Sequence, residues 1–200
     1  PGAQKRFRYL YLILAPMIRK IWKNASRLLA NSEGLKQRAL AFEKRYAIDI
    51  IENGVDNQFF TPSEKKKKKN HIVILFVSRL IEGKGLQYMI PKLPGIQESV
   101  MHNTGKEIQL VIVGDGPYRA ALEQLTDETK VRNLVRFEGR KNKDQVLRYY
   151  QAADLFLLPS LSEGMPNVVL EAMASGLPIV ITPCEGSKEL VTDNGVIAPL

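Results

Sequence analysis

Ile72-Val73-Ile74-Leu75-Phe76-Val77-Ser78-Arg79-Leu80-Ile81-Glu82-Gly83-Lys84-Gly85 is the stretch on which the reading of this chain turns. An unbroken apolar run without polar alternation suits a strand buried on both faces, and such strands belong to parallel sheets. The run ends in a turn that carries two glycines and two cations, and helical spacing begins after it. The same unit then repeats along the chain. Residues 108–113, 134–137, 155–158 and 179–181 are further strand candidates, rich in Val, Ile, Leu and Phe, and residues 86–92, 118–125, 143–153 and 167–175 are helix candidates. The order βαβαβαβαβ predicts a doubly wound α/β domain with right-handed crossovers. Residues 94–105 are longer and more polar than a crossover needs and read as a surface insertion.

Upstream the pattern is different. Residues 7–24 predict an amphipathic helix interrupted or started near Pro16, residues 27–30 and 48–51 short strands, and residues 35–46 a helix entered through Asn31-Ser32-Glu33-Gly34. Residues 55–70 have no periodicity and include the run Lys65 to Lys69, which reads as a linker. The 200 residues therefore hold one domain plus a fragment. A chain that opens on Pro1 rather than Met reads as an excised piece, so its basic-then-apolar start is not taken as a signal peptide.

Composition excludes several classes. With 44% hydrophobic and 25% charged residues the chain can build a core and is neither fibrous nor disordered. One cysteine excludes an internal disulfide framework and a cysteine-based zinc site, and points to a reducing compartment, the cytoplasm. No apolar run is long enough for a bilayer. The net charge of +8 is not spread evenly: residues 1–69 carry 16 Lys and Arg against 6 Asp and Glu, and residues 70–200 carry 13 against 15. A uniformly basic nucleic-acid module would not divide this way.

In a doubly wound sheet, ligands bind beyond the carboxyl ends of the strands, where loops run into helix N-termini. Arg79 offers a bidentate fork there and Lys84 a point charge, a pair able to hold a phosphate; two solvated loop cations are the bland alternative. Gly114-Asp115-Gly116-Pro117 carries only part of a dinucleotide fingerprint and reads as a tight turn before a helix. In the stretch from Ser162 to Ala174, Glu163 precedes a helix and Glu171 projects from its first turns. Gly164 allows close backbone approach, and free N–H groups around Asn167 and Val168 can bind an anion. His71 and His102 lack a third ligand nearby and read as surface residues. Cys184 has no identifiable base and reads as incidental. Tyr149 and Tyr150 read as packing.

Six motifs occur in one order: Asn53-Gly54-Val55-Asp56, Ser78-Arg79-Leu80 with Lys84-Gly85, Val113-Gly114-Asp115-Gly116-Pro117, Phe137-Glu138-Gly139-Arg140, the Glu163-to-Glu171 element, and Glu171-Ala172-Met173-Ala174-Ser175-Gly176-Leu177-Pro178-Ile179. Together they resemble the donor-binding, C-terminal half of the retaining GT-B glycosyltransferases of family 4, the glycosyl transferases group 1, from about Leu29 onward. The resemblance implies a Rossmann-like nucleotide-sugar domain over residues 71–200, truncated at its C-terminus, behind a basic interdomain linker, 57–70. Residues 1–56 would be a helical remnant of the first, acceptor-side domain.

The resemblance further implies that Arg79 and Lys84 hold the diphosphate of a UDP- or GDP-sugar, with Glu163 on the hydroxyls of the transferred sugar and Glu171 on the ribose. Backbone from Gly164 through Met165, Pro166, Asn167 and Val168 would approach phosphate and sugar, and Gly139, Arg140 and Lys141 would frame the base. Arg79, Lys84 and Glu163 would carry the chemistry, with no metal and no cofactor besides the donor. Cations that bind the departing diphosphate more tightly as its charge develops lower the barrier. The expected setting is bacterial polysaccharide or glycoconjugate synthesis in the cytoplasm or at the inner face of the membrane. The acceptor is not implied, and the piece is expected to bind donor weakly, not to turn over, and to self-associate. The alternatives are a sugar-nucleotide epimerase of the same fold, or a basic module for nucleic acid or anionic membrane; the mixed charge of the ligand-side loops speaks against nucleic acid.

Overall fold

In chain order the elements are α1 (Gly2–Asn24), β1 (Leu28–Ala30), α2 (Glu33–Phe42), β2 (Ile48–Ile50), β3 (His71–Val77), α3 (Leu86–Met89), α4 (Leu93–Thr104), β4 (Glu107–Val113), α5 (Arg119–Glu128), β5 (Val135–Gly139), α6 (Lys143–Ala152), β6 (Leu155–Leu158), α7 (Asn167–Ala174), β7 (Ile179–Ile181), α8 (Ser187–Leu190) and β8 (Gly195–Ile197). The computed structural model describes residues 2–63 and 70–199, with side chains from residue 13 onward. The Lys65 to Lys69 run lies outside the described residues. Contacts divide the chain into two compact units, Pro1–Glu52 and Asn53–Leu200.

The second unit is built on one six-stranded sheet in the order β5-β4-β3-β6-β7-β8, and every pairing is parallel. The chain steps outward from β3 through β4 to β5, then returns to the other side of β3 for β6, β7 and β8. That reversal is the doubly wound pattern, with its switch point between β3 and β6. Leu75, Phe76, Leu110, Ile112, Phe156 and Leu158 are fully buried in the three central strands, which is why their sequence shows no polar alternation. Leu86, Ile90 and Leu93 seal the sheet together with Leu122 of α5, Tyr150 of α6 and Val169 of α7.

The structure corrects several local expectations. Residues 94–105 are not a surface insertion. They form α4, whose Leu93, Ile96 and Val100 face the core, and whose Gln97 Oε1 accepts from the Ile108 N–H at 2.7 Å. The single helix expected over 86–92 is instead α3 followed by a 3-10 turn, Ile90–Lys92. Pro91 and Pro94 carry no N–H to donate, and each restarts the helix at a first turn where none is needed. A sixth strand, β8, pairs with β7 beyond the last expected strand. Part of the stretch expected as linker packs onto the second unit: Phe60 is buried with its ring 5.8 Å from that of Tyr150, and Gln151 Nε2 donates to the Thr61 carbonyl at 3.1 Å.

The first unit holds α1, α2 and the parallel pair β1 and β2. Helix α1 continues through Pro16. One missing donor removes one rung of the ladder and leaves those on either side intact. Helix α2 starts at the expected cap, where Ser32 Oγ accepts from the Leu35 N–H at 3.2 Å, but it ends at Phe42 rather than near Tyr46. Glu43, the C-cap, has extended backbone, and its carboxylate pairs with Arg19 at 3.1 Å and Arg45 at 2.9 Å. Trp22 closes this unit edge-on against Phe42 and Tyr46.

Candidate functional site

The carboxyl ends of β3, β4, β5 and β6 meet along one rim, and the loops there are stitched to each other by backbone. Gly114 has φ +136, and a Cβ on it would lie 1.9 Å from the Ser78 carbonyl oxygen. The loop after β4 therefore seats directly under the loop after β3, an approach that only glycine permits. Leu80 N–H donates to the Asp115 carbonyl at 2.9 Å and Tyr118 N–H to the Leu80 carbonyl at 3.1 Å. On the other side Gly85, with φ +75, lies against Pro159, whose carbonyl oxygen would be 1.8 Å from an added Cβ, and Leu161 N–H donates to the Gly83 carbonyl at 2.9 Å. The β3 loop is thus clamped between the loops after β4 and β6.

This clamping sets the charges. Arg79, Arg140 and Lys141 line one cavity of about 580 Å³ together with Ser78, Gly114 and Asp115. Arg79 and Arg140 are exposed and have no ion pair among the described residues. Lys141 is held on the wall by Glu138 at 3.9 Å and by the face of Tyr149, 5.9 Å from the ring centre. Tyr149 in turn donates to Glu138 Oε2 at 2.7 Å, a bond that first among several causes holds the Glu138 carboxyl below the usual range. Burial, followed by this bond, raises the Tyr149 hydroxyl to about 12, so Tyr149 braces the cavity wall in addition to packing.

Lys84 lies in the 3-10 turn Glu82–Lys84, and its Nζ is 2.5 Å from Glu163 Oε1. The same oxygen accepts from Ser160 Oγ at 2.7 Å, and Ser160 is anchored through its carbonyl by Thr182 Oγ1. Both partners of the ion pair are shielded, with side chains 21% and 13% exposed, so it is an organised contact and not a surface encounter. Oε2 of Glu163 has no hydrogen bond among the described residues. Nearby, burial, reinforced by the charges of Glu163 and Glu185, pushes the Cys184 thiol up to about 11. It stays protonated at neutral pH and is a poor nucleophile.

The start of α7 is built from Met165 and Pro166, both buried, and the exposed Asn167. Pro166 is the N-cap and offers no side-chain bond to the helix. Asn53 instead ties down the turn that leads into the helix: its Nδ2 donates to the Met165 carbonyl and to Asn167 Oδ1, each at 2.8 Å. Glu171, one turn on, has its Oε2 2.9 Å from the Tyr150 hydroxyl, and burial raises its carboxyl. The sequence-predicted residues thus fall into three neighbouring groups on the rim: Arg79, Gly139, Arg140 and Lys141; Lys84 with Glu163; and the turn from Gly164 to Val168 with Glu171. Among the described residues no group of three His, Cys, Asp or Glu side chains stands where it could hold a metal ion.

Sequence reading missed Ser160 and the hydroxyl of Tyr150, and saw Asn53 only as part of a motif. Asn53 and the Tyr150 hydroxyl act on partners in another loop or helix, which no residue spacing within one element announces, whereas Ser160 acts on Glu163 three residues on in its own loop.

A doubly wound parallel sheet with its loops gathered along one rim is a Rossmann-like domain. The chain belongs to the family described as glycosyl transferases group 1, whose model matches residues 57–199. It is 33% identical over 153 residues to the putative colanic acid biosynthesis glycosyltransferase WcaL of Escherichia coli, covering 74% of this chain and 36% of that protein. An uncharacterized glycosyltransferase of Methanocaldococcus jannaschii is 40% identical over 126 residues, 62% of this chain and 31% of its own length. Among solved structures, WaaG, a glycosyltransferase involved in lipopolysaccharide biosynthesis, superposes with a TM-score of 0.68 at 28% identity, over 86% of this chain and 49% of that one. Anabaena Alr3699/HepE, in complex with UDP and glucose, shares the fold with a TM-score of 0.76 at 23% identity, over 93% and 53%. The chain spans about a third of the curated relatives and about half of the solved chains it matches.

Proposed function

We propose that the chain supplies the donor side of a retaining glycosyltransferase that moves a sugar from a UDP- or GDP-sugar to an acceptor. One observation carries the reading. The bond broken in such a reaction joins the sugar to the diphosphate, so the group that holds the leaving phosphate and the group that holds the sugar must be neighbours. Lys84 and Glu163 are neighbours at 2.5 Å. Arg79 and Lys84 stabilise the departing diphosphate, to which Arg79 can offer two parallel N–H donors. Glu163 accepts from sugar hydroxyls and Glu171 from the ribose, while N–H groups at the start of α7 complete the phosphate cradle. Arg140, Lys141 and Gly139 frame the base. The UDP complexes of Alr3699/HepE and of the pneumococcal O-GlcNAc transferase GtfA support a uridine donor by analogy of fold.

In this reading residues 1–56 come from an acceptor-side domain, 57–70 join it to the donor domain, and the pathway is bacterial polysaccharide or glycoconjugate synthesis. The basic first third faces an anionic membrane surface on the cytoplasmic side. No helix among the described residues is long and apolar enough to cross a membrane. Calorimetric titration of the chain with UDP, GDP and their sugar conjugates tests the donor assignment: saturable binding of one base is expected, and no heat at millimolar ligand from a folded sample refutes it.

A further inference from the structure

Tyr150 is a fully buried aromatic side chain next to the rim, and its hydroxyl is not idle. The residue has no exposed surface, and its ring lies 5.8 Å from that of Phe60 and 5.9 Å from that of Phe156. Anchored in this way, the hydroxyl has little freedom. It sits 2.9 Å from Glu171 Oε2 and 3.2 Å from the Val168 carbonyl. The carbonyl is uncharged and lies farther off, so the single hydroxyl proton goes to the carboxylate, where a charge-assisted bond is stronger. Oε1 of Glu171 has no hydrogen bond among the described residues.

We infer that Tyr150 is a positioning residue for nucleotide recognition: it ties one oxygen of Glu171 so that the other is presented, already oriented, to the vicinal diol of the donor's ribose. The inference rests on the donor reading above. Its physical basis is preorganisation. A glutamate on a helix samples several rotamers, and fixing it in advance removes that ordering cost from the binding step. Electrostatics point the same way. Burial is the largest effect on the Glu171 carboxyl and raises it, while the Tyr150 bond, followed by the charge of Lys143, lowers it and keeps the acceptor form available. Burial, first among the causes, pushes the Tyr150 hydroxyl far above the ordinary phenol value, so it remains a donor throughout the working range.

The test is titration of UDP and 2′-deoxy-UDP, with GDP and 2′-deoxy-GDP alongside, into wild type, Tyr150→Phe, Glu171→Gln and the double variant. Wild type should prefer the ribonucleotide about ten-fold, the size of one charge-assisted bond. Both single variants should lose most of that ratio, and the double variant should be no worse than Glu171→Gln. A merely structural role would weaken the ribo and deoxy ligands equally and leave the ratio intact, which would overturn the inference, as would additive losses in the double variant. No binding by wild type defeats the donor reading and this role together. Binding without ribose discrimination by wild type defeats the role of Glu171. Should Tyr150→Phe not fold, the Tyr150 hydroxyl proton is followed by NMR in wild type and Glu171→Gln. A slowly exchanging proton that shifts in the variant supports the bond, and one in fast exchange with water refutes it.

Discussion

The Lys84 ammonium and the Glu163 carboxylate close on each other at 2.5 Å across two loops that are 79 residues apart, and Ser160 braces the carboxylate from behind. An anion arriving at Lys84 must therefore compete with Glu163. Glu163→Gln should free Lys84 and tighten binding of UDP or GDP alone several-fold, while removing the advantage of the sugar conjugate over the bare diphosphate. Lys84→Ala should weaken both by about ten-fold or more. Calorimetry with the paired ligands reads both effects, and a Glu163→Gln variant that binds bare diphosphate less tightly would contradict the competition.

Asn53 holds the turn before α7 through both hydrogens of one amide. Asn53→Ala leaves the Met165 carbonyl and the Asn167 side chain without their donor and should cost about 1–2 kcal/mol of stability. Asn53→Asp, which has the same shape but turns a donor into an anion facing a carbonyl, should cost more. Thermal melts order the three proteins, and diphosphate affinity should fall in the same order.

Gly85 is required by its backbone and by its neighbour at once. Gly85→Ala would place a methyl group on the Pro159 carbonyl oxygen at a positive φ, so a loss of about 3 kcal/mol or more is expected. A melt within a degree of wild type would show that the β3 and β6 loops separate at little cost.

The raised carboxyl of Glu171 predicts a pH dependence of binding. Its acceptor form is lost, as pH falls, at a higher pH than for an ordinary glutamate. Ribonucleotide affinity should decline on acidification before free glutamates titrate, and the Glu171→Gln variant should not show this decline. Titrations across the acidic range check it.

In the first unit the carboxyl shift runs the other way, so the loss on acidification comes at lower pH. The bond from Arg45, ahead of the smaller contribution of Arg19, holds the Glu43 carboxyl at about 2 against a usual value of 4.5. A depressed pKa means that the support is complete above the unfolded value and is lost as pH falls through the folded one. Trp22 packs against Phe42 and Tyr46 next to this cluster. Its fluorescence should therefore report loosening of the unit between about pH 4.5 and 2, an acid transition that Glu43→Gln should abolish.

What this chain declares in its residues is local. Six apolar positions without polar alternation make β3 a strand buried on both faces, and the alternation of such runs with helical spacing is enough for a doubly wound sheet. That architecture already places Arg79, Lys84, Glu163 and Glu171 in loops or first turns on one rim. Local composition misled where burial depends on partners: residues 93–104 look polar, yet three side chains on one face of α4 are all the core asks of that helix. Tertiary structure alone decided which polar groups meet. Lys84 finds Glu163, Asn53 reaches the Met165 carbonyl 112 residues away, and the Tyr150 hydroxyl finds Glu171 across two helices. The physical reason is that periodicity and turn preference act between near neighbours in sequence. A hydrogen bond between distant loops exists only once the strand order has brought those loops to the same edge of the sheet.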